Sequence, residues 1–115
     1  MIKEIAIMHI ENELSLAKKA LNDGNNGKAR VCARRAAGIA ISYWLEFQPK
    51  MNWGESSINL LNEVKNYKPL KEEIRLAAER LTTSVSKKDS LQFTADPMYD
   101  SKIIIEYFLN KKEIK

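Results

Sequence analysis

The chain reads as all-α: an antiparallel, up-and-down bundle of four principal helices, the third broken at Pro69. Two observations carry that reading. Apolar residues recur at helical spacing while no strand-like alternation persists, and only three prolines and four glycines punctuate the 115 residues. A hydrophobic content of 44% over this length suits one domain, residues 1–115, able to bury a core without staples.

The first element spans residues 2–21. Ile2, Ile5, Ala6, His9, Ile10, Leu14, Ala17 and Leu21 form its apolar stripe, with Lys3, Glu4, Glu11, Lys18 and Lys19 mostly elsewhere. The run Asn22-Asp23-Gly24-Asn25-Asn26-Gly27 concentrates residues that cap helices or tolerate left-handed backbone, so the chain stops and turns there. A link this short predicts a helical hairpin.

The second helix, residues 28–47, places Ala29, Ala33, Ala36, Ala37, Ala40 and Trp44 on one side. Arg30, Arg34 and Arg35 lie toward the other, with Gly38 and Ser42. Small side chains allow close approach of a neighbouring helix, which makes this the expected central rod. It ends before Gln48-Pro49, because the residue preceding proline is pushed out of helical geometry.

After a loop containing Trp53-Gly54, Ser56 or Ser57 caps a third helix with Ile58, Leu61 and Val64 as its stripe and Leu60 and Tyr67 at the edges. Pro69 opens a fresh helical stretch to residue 85, where Leu70, Ile74, Ala77, Ala78, Leu81 and Val85 share a face and Glu72-Glu73 sit near the positive start. Residues 84–95 read as a polar connection anchored by Leu91 and Phe93. Asp96-Pro97 then starts the last helix, Asp96 accepting from unpaired backbone donors and Pro97 pre-setting the first turn. This helix runs to about residue 112 and leaves a basic tail.

Charge and cysteine usage narrow the function classes. Nineteen basic against 15 acidic residues give a net charge of +4, mild attraction to anions but less than a dedicated polyanion binder carries. Cys32 is alone, no signal pattern precedes the first helix, and no apolar run approaches the roughly 18 residues a membrane span needs, so a cytoplasmic protein is expected, with no membrane partner.

No complete catalytic motif is present, and no catalytic residue, metal site or cofactor is assigned. His9, the only histidine, falls on an apolar stripe and reads as a structural residue; with Cys32 it supplies too few ligands for zinc. Cys32 among alanines reads as a buried thiol. The carboxylates Glu11, Glu13, Glu72 and Glu73 read as solvated surface. An enzyme site in the bundle core would need inward polar groups, for which His9, Ser42 and Tyr43 are the candidates.

The candidate site is cationic. Arg30 and Arg34 are one turn apart and Arg35 flanks them, so three forked guanidinium groups can converge on a phosphate or carboxylate, with Lys28 at the helix start and Gly38 leaving room for a partner. Stacking aromatics are not interleaved with these cations, which argues against sequence-specific reading of DNA.

This pattern resembles the minimal, stand-alone members of the HEPN superfamily of helical bundles. The likeness lies in residues 27–45, a polar turn leading into a small-residue helix with arginines early and an aromatic later, and in the final helix, residues 96–109. It implies dimerisation and a possible nucleotidyltransferase partner. The ribonuclease branch pairs an arginine with a histidine roughly four to six residues later; Arg34 and Arg35 are followed by no histidine within reach, so that chemistry does not carry over. The sequence thus predicts a non-catalytic bundle that forms a homodimer through Trp53, Phe93 and the Ile103–Ile105 run and offers Arg30, Arg34, Arg35 and Lys28 to a partner or nucleotide. The alternative is an RNA-binding or degenerate ribonuclease module using the same face.

Overall fold

The computed structural model describes residues 1–83 and 96–110. Among them are five α-helices and no strand: α1 (Lys3–Asn22), α2 (Asn26–Leu45), α3 (Ser57–Asn66), α4 (Glu72–Thr82) and α5 (Pro97–Asn110). The expected connection over residues 84–95, with Leu91 and Phe93, the end of the fourth face at Val85 and the basic tail over residues 111–115 lie outside the described residues.

Local chemistry sets the helix ends. Asn25 caps α2 by accepting from the Lys28 backbone N–H at 3.1 Å, and Gly24 supplies the positive φ of 79° that the turn requires. Ser56 caps α3 through the Asn59 N–H at 3.1 Å, and Asp96 accepts from the Met98 N–H at 2.9 Å ahead of Pro97. Pro69 does not begin α4. Leu70 donates to the Tyr67 carbonyl at 3.1 Å in a turn that buries its side chain, Lys71 is extended, and the helix starts at Glu72.

The residues 23–25 link folds α1 back along α2, and the hairpin closes at its other end where the Met1 nitrogen lies 2.6 Å from Glu46 Oε1. α2 is the central element, packed on α1, α3 and α5, while α4 lies on α3 and α5. Ala29, Ala33, Ala36, Ala37 and Ala40 are wholly inaccessible, as the small-residue pattern anticipates. The absence of bulk beside Ala33 lets α5 come close enough for the Ser101 hydroxyl to donate to the Ala33 carbonyl at 2.8 Å. Cys32 is buried. One end of the core is aromatic: Trp44 packs against Trp53 at 5.5 Å and Phe108 at 5.0 Å, and Trp53 against Tyr67 at 5.3 Å.

The phase of α1 differs from the sequence reading. Its buried face is Ala6, Ile10, Ala17 and Ala20, whereas Ile2, Ile5 and His9 are exposed. At 100° per residue the 2-5-9 positions sit beside that face, and apolar identity alone does not distinguish two neighbouring stripes. Ile58 is likewise exposed on α3, where Leu60 replaces it inside. Trp53, Ile104 and Ile105 are buried within this subunit and so do not form the dimerisation surface expected of them.

Candidate functional site

The three arginines do not converge. Successive residues of a helix point about 100° apart, so Arg34 and Arg35 leave α2 in different directions. Arg30 and Arg34 turn toward the C-terminal end of α4. Arg34 donates from Nε to the Leu81 carbonyl at 2.6 Å, while Arg30 donates from Nη2 to the Thr83 carbonyl at 3.1 Å and to the Arg80 carbonyl. The last carbonyls of any helix lack intrahelical partners and carry its negative dipole end, so two cations there both satisfy acceptors and complement the field.

Both guanidinium groups are half-buried, and burial lowers the pKa of each below the ordinary arginine value; for Arg30 the charge of Arg34 adds to that lowering and Asp100 opposes it. Arg80, on the same turn of α4, donates from Nε to Asp100 Oδ1 at 2.9 Å, with Nη2 2.8 Å from the same oxygen. That hydrogen bond raises the Arg80 pKa against the effect of burial, and it holds the buried carboxylate of Asp100 on α5. Arg30, Arg34, Arg80 and Asp100 therefore form one polar joint among α2, α4 and α5.

Lys28 is exposed at the first turn of α2. Arg35 is exposed too, on a different face, where it lines an open groove of about 240 Å³ with Met1, Glu13, Gly38, Ile39, Ser42, Glu55, Ser57 and Leu60. The α2 residues of this groove, Arg35, Gly38, Ile39 and Ser42, follow the i, i+3, i+4, i+7 spacing of a single helix face. Gly38 is buried rather than open to a partner: a Cβ built on it would lie 2.7 Å from Ser57 Oγ and 3.2 Å from the Ser57 Cα. The missing side chain is what lets the start of α3 seat against α2.

Glu13 crosses from α1 into the same groove. Its Oε1 is buried and has no hydrogen-bond partner among the described residues, and it makes no ion pair with Arg35. Sequence reasoning placed Glu13 on the solvated surface; the signal that could have found this site is the spacing from Arg35 to Ser42 together with the Ser56-Ser57 helix start. Of the polar residues considered for a core site, Ser42 borders the groove, Tyr43 is buried against Phe47 at 5.2 Å, and His9 is exposed. Among the described residues no His, Cys, Asp and Glu cluster has a metal-binding arrangement, and no helix is long and apolar enough to cross a membrane. No family model, curated protein or solved structure matches the chain.

Proposed function

We propose that this chain is a non-catalytic, HEPN-like antiparallel up-and-down bundle, its third helix broken at Pro69, that acts by pairing with a second copy of itself. In that reading the pair then engages a second protein, for which a nucleotidyltransferase is the class implied by the family resemblance. The observation that carries self-association is the outer stripe of α1. Ile2, Ile5, Met8 and Leu16 are 59%, 42%, 50% and 45% exposed, at 3- to 4-residue steps save for one turn at Asn12. Two such helices laid antiparallel would bury both stripes against each other about a two-fold axis.

The alternative, phosphate binding by Arg30, Arg34 and Arg35 in an RNA-binding module, has weaker support. Arg30 and Arg34 would first have to leave the α4 carbonyls, and Arg35 stands on another face.

Sedimentation equilibrium tests the reading. Burying the exposed half of Leu16 contributes about 1 kcal/mol, hence about 2 kcal/mol per symmetric dimer, so Leu16→Glu should raise the dimer Kd at least thirtyfold, to order of magnitude, with unchanged helicity. A wild-type chain that stays monomeric at roughly millimolar concentration would refute self-association through this stripe. Salt separates the two classes, because RNA affinity falls steeply with ionic strength while an apolar dimer persists.

A further inference from the structure

From the groove between α1, α2 and the start of α3 we infer a binding site for a small aliphatic amino acid, its carboxylate on Arg35 and its ammonium on Glu13. This inference is independent of self-association. Opposite charges line one cavity without pairing to each other: Arg35, and Glu13, whose Oε1 is buried and unpartnered among the described residues; Glu55 borders the same space, and the Met1 ammonium there is held by Glu46. Glu13 borders the groove with a carboxylate oxygen that the protein offers no donor, so a rotation of that side chain toward the groove gives a ligand cation an acceptor, and the forked guanidinium of Arg35 is a matching clamp for a ligand carboxylate. A zwitterion satisfies both at once, whereas a simple anion satisfies only Arg35 and faces Glu13 and Glu55.

The walls and the volume restrict the ligand further. Ser42 and Ser57 offer hydroxyls, Ser57 from the first turn of the ten-residue helix α3. Ile39 and Leu60 provide an apolar wall for a short aliphatic side chain. The open groove, with a volume of about 240 Å³, has room for a molecule of L-valine's size. The close seating of Ser57 on Gly38 fixes the α2–α3 wall of the groove before a ligand arrives.

Titration of the full chain with L-valine, followed by backbone amide NMR, tests the site. Saturable shifts are expected at Gly38, Ser42 and Ser57. Isobutylamine, which lacks the carboxylate, and isovalerate, which lacks the ammonium, should each bind at least tenfold more weakly, as should L-valine to Glu13→Gln and to Arg35→Gln. Glu13→Gln keeps side-chain volume, Arg35→Gln shortens an exposed side chain, and helicity by circular dichroism confirms that the variants fold. No saturable shift with L-valine overturns the inference. So does binding of isovalerate as tight as that of L-valine, or undiminished binding by both variants. The dimer reading is decided separately, by sedimentation of the same samples.

Discussion

Replacing Arg34 with methionine distinguishes a structural arginine from a ligand-binding one. The substitution keeps most of the aliphatic stem and removes the charged donor held 2.6 Å from the Leu81 carbonyl. Hydrogen bonds from charged groups contribute about 1.5–3 kcal/mol, and since Arg34 is only half-buried the lower part of that range applies, about 1.5–2 kcal/mol including its complement to the α4 dipole. An unfolding entropy of about 2.1 cal/mol/K per residue gives about 0.24 kcal/mol/K for 115 residues. Arg34→Met should therefore lower the midpoint of thermal unfolding by about 6–8 °C, followed by helical circular dichroism in a reversible scan. Arg30→Met should act similarly, and the double variant should lose less than the sum, because both side chains hold the same helix end. A midpoint within about 1 °C of the parent, together with lost affinity for RNA or phosphate, would refute the capping role and restore the anion-binding reading.

Three further outcomes follow from the packing. Gly38→Ala gains about 0.8–1 kcal/mol of helix propensity but drives a methyl group to 2.7 Å from Ser57 Oγ, and since Cβ and Cα of Ser57 stand at 3.1 and 3.2 Å, rotating the hydroxyl away is not enough. The clash term of about 1–3 kcal/mol should win, leaving a net loss of about 1 kcal/mol in urea unfolding that Ser57→Gly partly restores; a stabilised Gly38→Ala would contradict the tight seating. Ser101→Ala should cost about 1 kcal/mol at the α2–α5 contact, and an unmoved denaturation midpoint would mean the hydrogen bond to Ala33 contributes nothing. Burial raises the Tyr107 pKa above the ordinary tyrosine value, so its contribution to stability is complete below about pH 10 and is lost as pH rises through the elevated folded value. Tyr107→Phe should remove that part of the alkaline loss, and identical stability-against-pH curves for the two chains would exclude it.

Much of the fold was legible because short-range chemistry decides it. The Asp96 and Ser56 caps and the inaccessible alanines of α2 follow from residues a few positions apart. The onset of α4 was missed because Leu70 is drawn into the core by tertiary packing, which overrides proline's preference for a first turn. The site was harder. Arg30, Arg34 and Arg35 are neighbours in sequence, but their partners are the end of α4 for two and a groove built from α1 and α3 for the third. Those partners lie far along the chain, so the split of the cluster appears only when the helices are assembled. Ile2, Ile5 and His9 show the same limit in another form, since helical periodicity gives relative angles and leaves the absolute rotation of α1 to its neighbours.

Trp53 gives the chain a built-in optical gauge. Its indole is lodged between Trp44 and Tyr67, and two residues later Glu55 borders the groove. Anything that lifts this segment hydrates the ring and shifts its emission to the red, so unlabelled protein can report whether the mouth of the groove stays seated.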